Sequence, residues 1–194
     1  MTELDFVSAC IKNDHAAKKQ LFEKYYPSLG YLALRYSKNK QQADVVIQEG
    51  FKAVFVQLAY FKSQQKLSLD EFIKSKFVNC VVAYIKSIRN EYYVASTVKA
   101  VDTSDHSYDL FLDNKLIDLR KTDEVVLLKS IQELVPSQRL AFNLSVIDGY
   151  TLAELSELLE TSEQTVKANL EKSKFNLQKI IEKNLKLSSD GTSV

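Results

Sequence analysis

Tryptophan is absent from this chain, and five other residue types are scarce: 4 Gly, 2 Pro, 2 Cys, 2 His and 1 Met among 194 residues. So few Gly and Pro leave little material for tight turns and favour long helices. Cys10 and Cys80 lie far apart in apolar runs with no C-x-x-C motif. They read as small buried hydrophobes in a reducing cytosol, not as ligands. His15 and His106 stand in different parts of the chain, which argues against a metal site or a histidine-based nucleophile. The phosphate-cradling patterns G-x-x-x-x-G-K-[ST] and G-x-G-x-x-G are missing, as is G-x-S-x-G. Asp44 and Glu49 lack the spacing of a catalytic carboxylate pair. The expectation is a binding protein without a cofactor, not an enzyme. No apolar run approaches the ~18 residues that cross a bilayer, so no membrane insertion is expected. The opening MTELDFVSACIKND is acidic and has no apolar core, so it predicts no secretory leader and a cytoplasmic location.

Strong net charge is missing too, since the formal total is only +1. Its distribution says more. Residues 1–96 carry 14 Lys+Arg against 9 Asp+Glu, residues 97–124 carry 4 against 7, and residues 125–194 carry 8 against 9. A basic first part is followed by an acidic middle, and most lysines of the last part fall in one final helix.

What is present is a 45% hydrophobic content laid out at helical spacing. Leu4, Val7 and Ile11 mark a short first helix. Asp14 caps a second, with Ala17, Leu21, Phe22 and Tyr25 inward; the pattern passes Pro27 and continues through Leu29 to Tyr36. After a polar break at 37–42, helix resumes near Ala43 with Val46, Ile47, Gly50, Phe51, Val54, Phe55 and Leu58 inward. Gly50 costs about 1 kcal/mol against Ala in a helix, which suggests close approach of another helix. Residues 62–68 are a polar loop, and Asp70 starts a helix with Phe72, Ile73, Phe77, Val81, Tyr84, Ile85 and Ile88 inward. Residues 93–123 lose periodicity and read as an acidic linker. Helix returns with Val125, Leu128, Ile131 and Leu134. Pro136 suits the first turn of the next helix, and Gly149 its left-handed end. A polar tail starts at Ser188. No strand alternation or repeat stands out. The fold class is all-α, with helical domains at 1–92 and 124–187.

Residues 150–174, YTLAELSELLETSEQTVKANLEKSK, form the densest pattern. Thr151 and Glu154 make a T-x-x-E capping box ahead of Leu152, Leu155, Leu158 and Leu159. Thr161 or Ser162 then caps a second helix whose inner face holds Val166, Leu170, Leu177, Ile180 and Ile181. Its other face carries Gln164, Lys167, Asn169, Lys172 and Lys174. This is a helix-turn-helix pattern, whose second helix enters the DNA major groove.

With both domains in view, the chain resembles an extracytoplasmic-function (ECF) sigma factor of bacterial RNA polymerase, over residues 5–92 and 124–185. IQELVPSQRLAFNLSVIDGYTLAELSELLETSEQTVKANL looks like region 4, with Leu134-Val135-Pro136 to Arg139, then Gly149-Tyr150-Thr151 to Glu154, then Ser162-Glu163-Gln164-Thr165-Val166-Lys167. The VIDGYTLAEL wording is most similar to Bacteroidetes versions. Gln48-Glu49-Gly50-Phe51 resembles the Q-E-x-F centre of the region 2 helix that binds the polymerase clamp. Asn79, Tyr84 and Lys86 resemble the N-x-x-x-x-Y-x-[RK] spacing of the −10 reader, although Tyr84 reads as core.

The resemblance implies partners: core RNA polymerase (the β′ clamp coiled coil and β flap), promoter DNA and an anti-sigma factor. It implies polymerase binding by Asp44, Gln48, Glu49, Phe51 and Lys52. For the −10 element it implies Lys62, Lys66, Phe72, Lys74, Asn79, Lys86 and Arg89. For the −35 element it implies Thr151, Ser162, Gln164, Thr165, Lys167, Ala168, Asn169, Lys172 and Lys174. Departures from the family pattern are Val45, Lys76, Ala83, Asn169 and Glu171, with Lys for Arg at 172 and 174. Those in the recognition helix imply an altered or weakened −35 preference, and Val45, Ala83 and Glu171 keep a degenerate member open. Two alternatives are a stand-alone helix-turn-helix regulator and a degenerate sigma-like interaction module; the Gln48–Phe51 helix argues against the first.

Overall fold

A computed structural model describes residues 3–61, 67–88 and 122–190, with backbone only for 187–190. The predicted acidic linker lies outside these residues except for 122 and 123, as do Lys62, Lys66, Arg89 and residues 191–194. The described residues are helical and contain no strand. The chain divides into two compact units, Met1–Tyr84 and Ile85–Val194.

The first unit holds α1 (Glu3–Ile11), α2 (His15–Tyr36), α3 (Lys40–Phe61) and, as far as Tyr84, α4 (Leu69–Ser87). In α1 the buried residues are Val7 and Cys10, while the predicted inward Leu4 and Ile11 are 54% and 37% exposed. A nine-residue helix touches its neighbours along one narrow line, so a one-position rotation moves both ends outward. Asn13 adopts a left-handed conformation (φ 63°), which Asn tolerates, and turns the chain sharply. Asp14 then caps α2 as expected, its Oδ1 accepting from the Ala17 amide at 3.0 Å. Pro27 lies inside α2 without ending it. The start of α3 comes three residues earlier than its periodicity suggests. Asn39 Oδ1 accepts from the Gln42 amide, and Gln42 Oε1 accepts from the Lys38 amide. This is a capping arrangement that apolar spacing cannot reveal.

Ser68, not Asp70, caps α4. Ser68 Oγ accepts from the Glu71 amide at 3.3 Å, and Glu71 Oε2 accepts from the Ser68 amide at 2.9 Å. These reciprocal bonds form an S-x-x-E capping box. Relieved of that role, Asp70 clasps α2. Tyr25 Oη donates to its carboxylate, and Lys24 Nζ donates to the same oxygen at 3.2 Å. These hydrogen bonds, Tyr25 first, hold the Asp70 carboxyl below its ordinary value.

The core of this unit is aromatic. Phe51 packs against Phe22 with ring centroids 4.6 Å apart and meets Phe77 edge-on at 6.0 Å. Phe61 meets Phe72 edge-on at 5.3 Å. Gly50 lies where a methyl group would overlap the Phe77 ring, so the close approach of α4 to α3 depends on it.

The second unit holds α5 (Glu124–Glu133), α6 (Pro136–Phe142), a π-helical segment (Asn143–Ile147), α7 (Leu152–Leu159) and α8 (Glu163–Asp190). Asp123 caps α5, accepting from the amides of Val125 and Val126. Val125, predicted inward, is 61% exposed. Pro136 opens α6, and Gly149 is left-handed (φ 78°) as predicted. Ile131, Leu134, Phe142, Leu177 and Ile181 form a buried cluster in this unit. Helix α8 runs to Asp190, so the predicted polar tail is helical for its first three residues.

Gly50→Ala is expected to destabilise the chain by about 1–2 kcal/mol. Overpacking at ~1–3 kcal/mol outweighs the ~1 kcal/mol gain in helix propensity. Urea unfolding checks this; a midpoint equal to or above that of the parent would show that the helix approach is not limiting.

Candidate nucleic-acid interface

The helix-turn-helix is built by its caps. Thr151 and Glu154 form the predicted capping box: Thr151 Oγ1 accepts from the Glu154 amide at 3.2 Å, and Glu154 Oε2 accepts from the Thr151 amide at 2.8 Å. The Thr151 backbone bond, then its hydroxyl, hold the Glu154 carboxyl below the usual range. Glu160 takes a left-handed conformation (φ 54°, ψ 47°) at the end of α7. The Thr161 amide reaches back to the Ser156 carbonyl at 3.0 Å, closing a Schellman-type turn. Of the two candidate caps for α8, Ser162 is used: its Oγ accepts from the Thr165 amide at 3.1 Å, and the two hydroxyls lie 2.9 Å apart. Thr151, Ser162 and Thr165 therefore commit their hydroxyls to capping.

Val166, Ser173 and Leu177 bury one side of α8. Opposite them Gln164, Lys167, Ala168 and Glu171 fall at i, i+3, i+4 and i+7, an outward stripe in which Gln164 and Lys167 are exposed and Ala168 and Glu171 half-buried. Asn169 and Lys172, both half-buried, flank the stripe on one side, and exposed Lys174 flanks it on the other. The predicted −35 residues are thus gathered on one helix, but Asn169 stands at the margin of its outward face. Glu171, absent from the predicted set, is on the stripe. Its spacing from Gln164 and Lys167 is the signal that marks it. Lys167 Nζ lies 4.0 Å from Glu171 Oε1.

The second half of α8 anchors the first. Asn176 donates to Gln138 Oε1 at 2.9 Å, and Asn184 donates to Ser130 Oγ at 3.1 Å and Glu133 Oε1 at 3.0 Å. Arg139, only 2% exposed, donates through one nitrogen to the carbonyls of Gln132 (2.6 Å) and Leu134 (2.9 Å). These are carbonyls that the end of α5 would otherwise leave without partners.

In the first unit, the predicted polymerase-binding residues Asp44, Gln48, Glu49 and Lys52 are exposed on α3. Phe51 is a correction: at 4% exposure it belongs to the aromatic core and offers no surface to a partner. Val45, Glu49, Lys52 and Val56 form the outermost line of α3, with Glu49 and Lys52 paired at 2.7 Å. Val56 is 71% exposed and Tyr60 58%. Their mostly apolar neighbours in sequence, Phe55, Ala59 and Phe61, give no hint of this; only the helical register does.

Phe72 is the second correction. It is fully buried against Phe61, so it cannot stack on a base without leaving the core. Asn79, Ala83 and Lys86 share one side of α4 at i, i+4 and i+7. Lys74 stands apart from them and lines a cavity of ≈ 420 Å³ with Lys24, Tyr25, Tyr31, Arg35 and Asp70. Among the described residues no His/Cys/Asp/Glu group could hold a metal ion, and no helix is long and apolar enough to cross a membrane.

Comparison with known proteins agrees with this geometry. Residues 124–174, the span of α5 to the middle of α8, match the family described as Sigma-70, region 4. The fold is similar to that of the sigma factor RpoE from Bartonella quintana, solved with the anti-sigma factor NepR. The TM-score is 0.50 at 16% identity, covering 84% of this chain and 96% of that one. No curated protein matches the sequence. Taken with the capped helix-turn-helix, these matches show a sigma-70 region 4 domain at residues 124–174 within a chain whose fold is similar to that of a sigma factor.

Arg139→Ala is expected to cost about 2–4 kcal/mol, because it strands two carbonyls beside a new cavity. Arg139→Met restores volume but not the bonds, so it should recover only part of the loss. Chemical denaturation of the full chain checks both; an unmoved transition would rule out a structural role for this guanidinium.

Proposed function

We propose that this chain binds core RNA polymerase and directs it to promoters, reading the −35 element with α8 and the −10 element with the first unit. The observation that carries the reading is the outward stripe of α8, which lies within the residues that match sigma-70 region 4. In a major groove, Gln164 and Lys167 would meet base edges, while Lys172 and Lys174 on the flanks would meet phosphates. The polymerase contact is assigned to the α3 line of Val45, Glu49, Lys52 and Val56, bordered by Asp44 and Gln48. It combines apolar area with a central ion pair, a composition suited to a protein partner.

For the −10 element, Asn79 and Lys86 offer one side of α4, and Lys74 with Lys24 and Arg35 line a basic cavity. Lys62, Lys66 and Arg89 are assigned to the same contact. An anti-sigma factor is a further partner under this reading. The exposed Tyr26 and Tyr31 of α2, which line one cavity with Pro27 and Leu34, are the surface we assign to it. The Lys167–Glu171 pair favours one second reading, a sigma-like interaction module whose recognition face no longer holds DNA.

Mixing the full chain with core RNA polymerase separates these readings. Co-elution with promoter-dependent transcription is expected; no co-elution sinks the sigma assignment, and co-elution without transcription favours the interaction module. Glu49→Lys should weaken core binding roughly tenfold at an unchanged unfolding midpoint.

Lys167→Ala should weaken binding of −35 duplexes several-fold and relax the base preference at the position it meets, whereas Lys172→Ala should lower the salt dependence by about one phosphate contact. Binding equal to that of the parent across a salt titration would show that the DNA-facing side is misassigned.

A further inference from the structure

We propose that Glu171 and Lys167 act together as a reader of one C·G base pair. This rests on the assignment of α8 to the −35 major groove. A carboxylate can only accept hydrogen bonds, and the major groove offers it just two donors, cytosine N4 and adenine N6. Adenine places its N7 acceptor beside that amino group, so the second carboxylate oxygen would face a lone pair. Guanine and thymine present only acceptors among their polar groups. Cytosine alone shows a donor with no acceptor of its own beside it. Glu171 lies half-buried one turn after exposed Lys167, so its carboxylate is presented on the side of α8 assigned to the groove.

Lys167 completes the pair. Its ammonium is donor-only, and it lies one turn before Glu171, 4.0 Å from the carboxylate. When Glu171 accepts from cytosine N4, the O6 and N7 acceptors of the paired guanine are the nearest groups that Lys167 can meet. The protein thus presents an acceptor and a donor side by side, and a C·G pair presents a donor and two acceptors side by side. The ion pair is surface-exposed, with side-chain accessibilities of 66% and 37%, so opening it toward DNA costs little. Glu171 also repels phosphate, which penalises registers that place it over the backbone.

The test is selection from a duplex pool randomised across the −35 region. The full chain is assembled with core RNA polymerase, and bound duplexes are sequenced. The parent chain should enrich cytosine at one position roughly tenfold over the other bases. Glu171→Gln should move that single position toward adenine, which an amide reads bidentately, and Glu171→Ala should flatten it. The other positions should keep their preferences. If Glu171→Gln tightens every sequence alike, or leaves the base profile unchanged, the carboxylate is only a repulsive charge and the proposal is overturned. A parent chain that enriches no sequence at all would instead remove the −35 assignment on which the proposal stands.

Discussion

The second unit depends on one buried guanidinium. Arg139 sits a turn into α6 and bonds the carbonyls of Gln132 and Leu134, where α5 ends. The last carbonyls of a helix have no intrahelical partner, and Arg139 supplies a donor to two of those at the end of α5. One planar cation meets two carbonyls at a corner that a flexible ammonium would fit less well. The corner sets the angle between α5 and α6 and presents Leu134 and Phe142 to Leu177 and Ile181. That cluster holds the far half of α8, and the near half, carrying Gln164 to Glu171, projects from it. The near half is seated in turn by Val166, which is buried as are Leu155 and Leu159 of α7.

The first unit follows a different constraint, close helix approach. Gly50 lets the Phe77 ring lie against the backbone of α3, and Phe51 and Phe22 pack around it. The cost is a wide buried face on α3, which leaves only a narrow line of residues for a partner. This is why Phe51, although central in the Q-E-x-F string, faces inward. The string records two demands at once, a core aromatic and the exposed Gln48 and Glu49.

Much of the fold is legible in the sequence because caps are local. Thr151–Glu154, Asp14, Pro136 and Gly149 each act where their spacing says they should. Ser68–Glu71 is equally local, yet a nearby Asp70 masks it, and only a tertiary bond to Tyr25 shows what Asp70 does instead. Burial is harder to read, because a hydrophobic residue at helical spacing can fall on either side of a stripe's edge. Leu4, Ile11 and Val125 are exposed for that reason, whereas Phe72 is buried as its spacing says, against the −10 role that the resemblance implied. The stripe on α8 is legible once register is fixed, but composition hides Glu171 among the lysines.

The near-neutral charge bears on how such a face can work. Non-specific affinity for DNA comes mostly from neutralised phosphates, and a chain of formal charge +1 has few cations in excess. On the outward stripe, moreover, Glu171 neutralises the nearest lysine. A reader of this kind gains little from sliding along arbitrary sequence, and its discrimination must come from base edges. Weak holding is not a defect if a second anchor keeps the face near its site. Tethering turns a weak contact into an intramolecular one, with effective concentrations of order mM for short flexible linkers. A polymerase bound through α3 would supply that tether under the proposed function. The acidic residue on the recognition helix would then raise selectivity at a cost in affinity that the assembly can bear.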